Sequence, residues 1–240
     1  MEKNKVFVLS DIHGAFDSFK SILKYWHEEE EQLVILGDLA DRGPKSKEAL
    51  LFTRQLVEEK EAILIKGNHD DMLEKYLKNP RKHQGHYYMN GGESTLRSLL
   101  GDEFLENQGT KNAKRIKEHY PWLLPFLESL RYFYEWEDYL FVHAGVDLTL
   151  DHWRDSSKRD FIWIREGFYD QKNTTDKRIV FGHTVTSRLH GNFSNFDVWK
   201  TNDGLIGIDG GAVYGGQLNA LSLSKEGIEN SYSIPSKQKK

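Results

Sequence analysis

Short apolar runs and helix-spaced apolar positions alternate along the first 70 residues of the chain. The runs at 6–9, 33–36 and 62–65 consist of apolar residues only, which predicts short buried strands. Apolar residues between 16 and 27 recur at helical spacing, and a second helical pattern follows Pro44, a residue that the first turn of a helix tolerates. A strand–loop–helix order repeated in this way predicts a largely parallel sheet with helices packed on it.

The rest of the chain divides into a helical middle and a strand-rich end. Residues 71–130 carry no strong strand pattern and are predicted to form a helical insert beside the sheet. Aromatic and β-branched runs at 132–136 and 139–142 predict a β-hairpin. Further strands are predicted at 179–181, 198–201, 205–208 and 218–223. We therefore expect one domain over 1–235, followed by a flexible tail at 236–240.

The composition excludes several classes of site. The 240 residues include no Cys, so a disulfide framework, a thiolate zinc site, an iron–sulfur cluster and a Cys nucleophile are all excluded. With 33 Lys+Arg against 37 Asp+Glu, the net charge of −4 argues against salt-driven binding to nucleic acid. No apolar run reaches a membrane-spanning length, and the one near the N-terminus is too short for a signal peptide. We expect no membrane contact and a cytoplasmic location.

Five of the predicted strands are followed at once by residues that can bind metal ions. Ligands in open α/β sheets bind outside the carboxyl ends of the strands, so we expect these side chains to lie together. Oxygen and imidazole donors without sulfur suit Mn²⁺, Fe or Zn²⁺ better than Ca²⁺. Six ligands exceed the needs of one tetrahedral ion and favour two ions that share a carboxylate. The six candidates are Asp11, His13, Asp38, Asn68, His143 and His183.

The order of these motifs resembles the phosphoprotein phosphatase (PPP) family of the calcineurin-like metallophosphoesterases, in particular its bacterial and phage branch. The motifs are Asp-Ile-His-Gly at 11–14, Gly-Asp-Leu-Ala-Asp-Arg-Gly at 37–43, Gly-Asn-His-Asp at 67–70, His-Ala-Gly at 143–145 and Gly-His at 182–183. Trp-Ile-Arg-Glu at 163–166, Asn-Gly-Gly at 90–92 and Ile-Asp-Gly-Gly-Ala-Val at 208–213 add to the likeness. Ser10, Ala40 and Asp70 depart from the family pattern, but none of them replaces a ligand.

The resemblance implies a fold and a metal centre. The fold would be an α/β sandwich of four layers (α/β-β/α), with two mixed sheets face to face. Two divalent ions would activate a bridging hydroxide that attacks phosphorus directly. Mn²⁺ is the expected metal, with Fe or Zn²⁺ as alternatives. One ion would be held by Asp11, His13 and Asp38, and the other by Asp38 as the bridging ligand, Asn68, His143 and His183.

Four more residues would handle the proton and the phosphate. We expect Asp41 to hold His69 protonated and oriented as the general acid for the leaving group. Arg42 and Arg165 would bind the non-bridging phosphate oxygens through bidentate hydrogen bonds. A structural Asp–His hydrogen bond and a surface ion pair of Arg165 with Glu166 are the alternatives.

The substrate class stays open at this stage. The leading interpretation is a serine/threonine protein phosphatase that acts on a phosphorylated protein or a small phosphoester. The alternative is a bis(5′-nucleosyl)-tetraphosphatase, because symmetrical diadenosine tetraphosphatases also carry the Gly-Asn-His-Asp form that ends at Asp70. The intact Asp41-Arg42 pair argues against that symmetrical subtype. A binding module without activity is a third possibility, although no ligand is lost.

We expect the glycine-rich segment 210–216 to be a turn between strands, and His83, His86, Tyr87 and Tyr88 to form an exposed helical rim.

Overall fold

Two five-stranded sheets organise the protein, whose computed structural model describes residues 3–236. The first sheet has the spatial order β10 (Ile228–Pro235), β9 (Gln217–Leu223), β1 (Lys5–Leu9), β2 (Glu31–Ile35) and β3 (Ile63–Leu64). The second has the order β4 (Phe133–Trp136), β5 (Tyr139–Val142), β6 (Arg178–Phe181), β8 (Leu205–Gly207) and β7 (Trp199–Lys200). Both sheets are mixed. β1, β2 and β3 run parallel, as do β5, β6 and β8, and antiparallel strands flank each set.

Helices connect the parallel strands and fill the middle of the chain. α1 (Phe16–Ile22) joins β1 to β2, and α2 (Ser46–Lys60) joins β2 to β3. The predicted helical insert is realised by five helices, which are α3 (Asn68–Lys78), α4 (Pro80–Met89), α5 (Gly92–Leu100), α6 (Gly109–His119) and α7 (Leu123–Ser129). Two short helices, α8 (Lys158–Trp163) and α9 (Thr186–Leu189), lie among the strands of the second sheet in sequence.

Successive side chains of a strand point to opposite faces of its sheet, and together they form three apolar clusters. These clusters hold the two sheets and the helices outside them together as four layers. Val6 and Val8 of β1 face Phe141 of β5 and Val180 of β6 in the cluster between the two sheets. Phe7 and its alternate neighbours pack on the other side against α1, α2 and the insert. A third cluster covers the outer face of the second sheet. The predicted sandwich of two mixed sheets with helices outside is confirmed.

The structure differs from the sequence prediction at the edge of the first sheet. β10 was not expected, because its sequence is largely polar and most of its side chains are at least partly exposed, as suits an edge strand. Ser236, the first residue of the predicted tail, bonds through its backbone N–H to the carbonyl of Gly216. The remainder of that tail, 237–240, lies outside the described residues. Among the helices of 3–236, none has the length and apolar character required to cross a membrane.

Candidate metal centre and active site

The carboxylate of Asp38, at the end of β2, lies between two imidazoles. Its Oδ2 is 3.4 Å from Nε2 of His13, and its Oδ1 is 3.5 Å from Nε2 of His143. The ligand atoms of Asp38, His143 and His183 all lie within 4.8 Å of one another, as do those of His13, Asp38 and His69. Asp38 is therefore the common member of two potential metal sites, which is the position that the sequence analysis predicted for it.

Hydrogen bonds orient the two imidazoles on either side of Asp38. Nδ1 of His13 donates to the carbonyl of Ala40 at 2.8 Å, and Nδ1 of His143 donates to the carbonyl of Leu36 at 2.6 Å. Because Nδ1 carries the proton, the lone pair of each ring lies on Nε2 and points into the site. This second-sphere bond to a carbonyl is typical of metal-ligating histidines.

The donor set fits a cation. Burial lowers the pKa of His13, His143 and His183, so their lone pairs are free to bind metal. Burial, followed by the charges of Asp11 and Asp70, raises the pKa of Asp38 well above its usual range, so the nearby Arg42 does not balance the carboxylates crowded here. Oδ1 of Asn68 also faces Nε2 of His143 at 3.0 Å, which brings two lone pairs together. A divalent ion would relieve both the crowding of the carboxylates and the contact between the two lone pairs.

Asp11 lies beside the first group of ligands. Its Oδ1 is 3.9 Å from Nε2 of His13, while its Oδ2 accepts the backbone N–H of His183 at 3.0 Å and the hydroxyl of Ser10. Among the described residues, Asp11 belongs to neither compact group, and His69 takes the third place beside His13 and Asp38. The six predicted ligands are thus brought to one site, with His69 closer to it than expected.

Glycines let the backbone approach these carboxylates. A Cβ at position 67 would lie 2.1 Å from Oδ1 of Asp38, and one at position 182 would lie 2.2 Å from Oδ2 of Asp11. Both distances are far below van der Waals contact, so Gly67 and Gly182 are required by the close packing of backbone on carboxylate.

The predicted pair of Asp41 and His69 is present and fully buried. Nδ1 of His69 donates to Oδ2 of Asp41 at 2.7 Å. The other carboxylate oxygen, Oδ1, accepts the hydroxyls of Tyr87 at 2.7 Å and Thr95 at 2.6 Å. Nε2 of His69 is buried and has no hydrogen-bond partner, so a buried polar atom is left facing the site.

The protonation of this pair differs from expectation. Burial raises the pKa of Asp41 to about 7 and lowers the pKa of His69 well below its usual range. Burial by the protein groups alone therefore favours the neutral imidazole, whereas the sequence analysis expected Asp41 to keep it protonated. Removal from water outweighs the attraction between the two groups, because burial disfavours both charged forms.

Three arginines surround the cavity over the candidate ligands. Nη1 of Arg42 donates to Nε2 of His13 at 2.7 Å, so ligation of a cation by His13 requires Arg42 to move away. Nη1 of Arg165 donates to the carbonyl of His183 at 2.8 Å and to the hydroxyl of Thr184 at 2.9 Å. Arg188, which the sequence analysis did not single out, forms the ion pair with Glu166. The cavity has a volume of about 560 Å³ and includes all three guanidinium groups in its lining.

The backbone of the site is strained. Nine residues other than glycine have a positive φ within 3–236, and six of them are candidate site residues. Such a conformation is rare outside glycine and concentrates at functional sites. The six are Asp11, His13, Asp38, Asp41, Arg42 and His183, with φ between 46° and 73°.

Sequence reasoning missed three residues that support the site. Oδ2 of Asp70 accepts the backbone N–H groups of Gly67 at 2.8 Å and of Asp38 at 2.9 Å, and so fixes one loop against the other. Its place in the Gly-Asn-His-Asp motif was the available signal. Tyr87 is fully buried instead of lying on an exposed rim, and Thr95 binds Asp41 from α5. Nothing local in the sequence marks these two contacts, because their partner lies about fifty residues earlier.

The comparison with known proteins decides the family. The sequence model of the calcineurin-like phosphoesterase family matches residues 4–208. The chain is a calcineurin-like phosphoesterase. As a member it is a hydrolase of phosphoric ester bonds that carries a divalent metal centre, and the resemblance noted from the motifs is confirmed.

Two curated relatives of this calcineurin-like phosphoesterase that are more than 35% identical to it share one name. The Bis(5′-nucleosyl)-tetraphosphatase PrpE (asymmetrical) of Bacillus subtilis (strain 168) is 37% identical over 255 residues, which cover 95% of this chain and 93% of the relative. A protein of the same name from Bacillus velezensis (strain DSM 23117 / BGSC 10A6 / LMG 26770 / FZB42) is 36% identical over 240 residues, with 89% and 87% covered. These names agree with the alternative interpretation, not with the leading one, a serine/threonine protein phosphatase.

Solved structures support the same fold. One is the structure of a protein proposed to be a diadenosine tetraphosphatase, which has a TM-score of 0.68 and 19% identity. The match covers 99% of this chain and 96% of that one. At this identity the likeness supports the fold alone.

Proposed function

We propose that this phosphoesterase hydrolyses dinucleoside polyphosphates asymmetrically. Water would add to the phosphorus nearest one end of a dinucleoside tetraphosphate, and the adjacent phosphoanhydride bond would break to give a nucleoside monophosphate and a nucleoside triphosphate. The observation that carries the proposal is the cavity with three arginines around the candidate metal ligands. The names of the relatives at 36% and 37% identity support the same substrate class.

The number of arginines in the cavity distinguishes a polyphosphate substrate from a phosphomonoester substrate. A phosphomonoester carries one phosphoryl group, which two divalent ions and one bidentate guanidinium can hold. Arg42, Arg165 and Arg188 all line one cavity, and that number suits a chain of several phosphates. Arg188 belongs to α9 and not to a metal-ligand motif. It would therefore bind a phosphate remote from the reacting one.

Two divalent ions, most suitably Mn²⁺, would supply Lewis-acid activation of water and neutralise phosphoryl charge when bound. The residues to hold them are Asp11, His13, Asp38, Asn68, His143 and His183, with Asp38 shared. Arg42 and Arg165 would orient the reacting phosphoryl group by hydrogen bonds to its non-bridging oxygens.

His69 would move the proton. Its Nε2 is the unpartnered buried atom that faces the cavity, and its Nδ1–H is fixed by Asp41. With Nε2 protonated as well, the imidazolium would give that proton to the departing oxygen, while Nδ1–H stays on Asp41, whose carboxylate would stabilise the imidazolium. A phosphate leaving group needs this proton less than an alkoxide does, because phosphate is the weaker base.

Product analysis tests the proposal. The Mn²⁺-loaded protein is incubated with diadenosine tetraphosphate and, separately, with a phosphoserine peptide, and the products are separated by chromatography. We expect equal amounts of AMP and ATP from the first substrate and much slower phosphate release from the second. Two ADP would indicate symmetrical cleavage. Release of phosphate from the peptide without cleavage of the dinucleotide would reinstate a serine/threonine protein phosphatase.

A further inference from the structure

Two aromatic side chains at the mouth of the catalytic cavity are exposed to solvent. The side chains of Phe193 and Tyr214 line this cavity, and the two residues are 83% and 56% exposed. Only four other large apolar residues of the described chain are similarly exposed. Exposure of such rings beside a polar cleft is typical of a surface that is covered when a ligand binds.

The segment that carries Phe193 is held in place. The backbone N–H of Asn192 donates to the carbonyl of Ser187 at 3.1 Å, and its side-chain oxygen accepts the N–H of Ser194 at 3.1 Å. The carbonyl of Phe196 accepts Nδ2 of Asn219 at 2.8 Å. Because the backbone is braced on both sides of Phe193, the exposed position of its ring follows from a defined loop conformation.

Close packing joins this loop to the turn that carries Tyr214. The ring of Phe196 lies so near the turn that a Cβ at Gly216 would be 2.6 Å from it, and a Cβ at Gly211 would be 3.4 Å from it. Glycine at position 216 therefore allows the turn to rest on the Phe196 ring. The contact places Phe193 and Tyr214 on the rim of the same cavity.

A cationic group lies between the Tyr214 ring and the candidate metal ligand His13. The guanidinium of Arg42 lies 5.3 Å from the centre of the Tyr214 ring, within range of a cation–π interaction. Arg188 lines the cavity together with Phe193. A ligand that fits this order has a phosphate chain at the metal centre and the arginines, followed by a flat ring system at the aromatic rim. A nucleotide has that composition, and aromatic side chains stack on every nucleobase.

We propose that Phe193 and Tyr214 form a nucleobase-binding rim that selects nucleotides over simple phosphoesters. The proposal rests on the proposed function for the substrate class and extends it to the residues that recognise the base. It requires no particular cleavage pattern, because the rim would bind the base of any nucleotide whose phosphates reach Arg42 and Arg188.

Calorimetry of a pair of hydrolysis-resistant probes tests the rim. The Mn²⁺-loaded protein is titrated with α,β-methylene-ADP and with methylenediphosphonate, which lacks the nucleoside. We expect the nucleoside probe to bind roughly tenfold or more tightly than the other, as base stacking predicts. Phe193→Ala should remove most of this difference and leave the affinity for methylenediphosphonate unchanged. Tyr214→Ala also removes the ring beside Arg42, so it is judged by the ratio of the two affinities, which should fall in the same way.

Control variants separate stacking from general effects. Phe193→Trp retains an aromatic face and should preserve the preference, whereas Phe193→Leu retains apolar bulk and should lose it. Tyr25→Ala removes another exposed aromatic ring, one outside the cavity, and should change neither affinity. A thermal melt checks that each variant is folded.

The outcomes for the rim and for the proposed function are distinct. Equal binding of the two probes by the wild type, or an unchanged preference in both alanine variants, would overturn the rim even if diadenosine tetraphosphate is cleaved. A preference that depends on Phe193 would support the rim even if the product analysis points to another phosphoester.

Discussion

Replacement of Asp41 by Asn tests the role of the buried Asp–His pair most directly. Oδ1 of Asp41 accepts two hydroxyl hydrogen bonds, and an Asn side-chain oxygen in the same position can keep both. The other oxygen, 2.7 Å from Nδ1 of His69, becomes an NH₂ group. Two donors then face each other, so the imidazole must shift its proton from Nδ1 to Nε2. The variant also lacks the carboxylate that would stabilise an imidazolium during the reaction, and the neutral ring that remains is a far weaker acid.

The expected decrease in kcat follows from the interaction that Asp41→Asn removes. A charge-assisted hydrogen bond contributes about 1.5–3 kcal/mol, which corresponds to a rate factor of about 10 to 150. General acid catalysis by a positioned side chain contributes about 10²- to 10⁴-fold. We therefore expect Asp41→Asn to lower kcat about 100-fold for a substrate with a basic leaving group. For a weakly basic leaving group, which needs no proton in the transition state, we expect less than about a fivefold decrease.

Two aryl phosphates provide the assay, because phenolate is a more basic leaving group than p-nitrophenolate. The ratio of the two kcat values is measured for the wild type, Asp41→Asn and His69→Asn at saturating Mn²⁺. Tyr87→Phe is the matched control, since it removes one hydrogen bond to Asp41 and leaves His69 untouched. If Asp41→Asn lowers kcat equally for both substrates while metal content is unchanged, the pair does not act as the proton source.

Three further predictions concern metal binding, substrate affinity and stability. Asp38→Asn should reduce bound Mn²⁺ from two ions per chain to one or none, measured by elemental analysis, because Asp38 is the shared ligand. Arg188→Ala should raise KM for diadenosine tetraphosphate about tenfold and change KM for p-nitrophenyl phosphate by much less; equal changes would place Arg188 at the reacting phosphate. Glu74→Gln should cost about 3 kcal/mol in unfolding free energy near pH 7, since it leaves Lys66 buried and unpaired.

The effect of Glu74→Gln should depend on pH in a defined direction. Burial raises the pKa of Glu74, but the hydrogen bonds from Lys66 and Lys78 outweigh it and hold the pKa below its usual value. A carboxylate with a depressed pKa stabilises the fold above its unfolded-state pKa and loses that contribution as the pH falls through the folded-state pKa. Denaturant melts should therefore show wild type and variant converging below about pH 4. A difference that is constant with pH would contradict this ion pair.

Local sequence patterns predicted the parts of the site that follow individual strands. Asp11, Asp38, His143 and His183 stand at strand ends, and parallel strands deliver their carboxyl ends to one edge of a sheet. The distances around Asp38 agree with that inference. The alternation of buried strands and helical patterns predicted a parallel sheet with helices packed on it, whereas the sandwich of two mixed sheets followed from the family resemblance of the motifs.

The sequence could not show contacts that depend on tertiary packing. Tyr87 and Thr95 reach Asp41 from α4 and α5, and no spacing rule links residues so far apart. The neutral state of His69 likewise depends on burial by neighbours from several elements. The rim of Phe193 and Tyr214 depends on a packed turn, in which Phe196 meets Gly216. β10 was not predicted, because an exposed edge strand does not need an apolar pattern.

The left-handed backbone at six of the candidate site residues sets a limit on engineering. Each such conformation costs of order 1 kcal/mol, so glycine at any of these positions would relieve strain. The same change would delete a carboxylate, an imidazole or a guanidinium from the centre. Substitutions that raise thermal stability must therefore lie elsewhere in the molecule, because at these six positions the residue that would relieve strain lacks the side chain that the site needs.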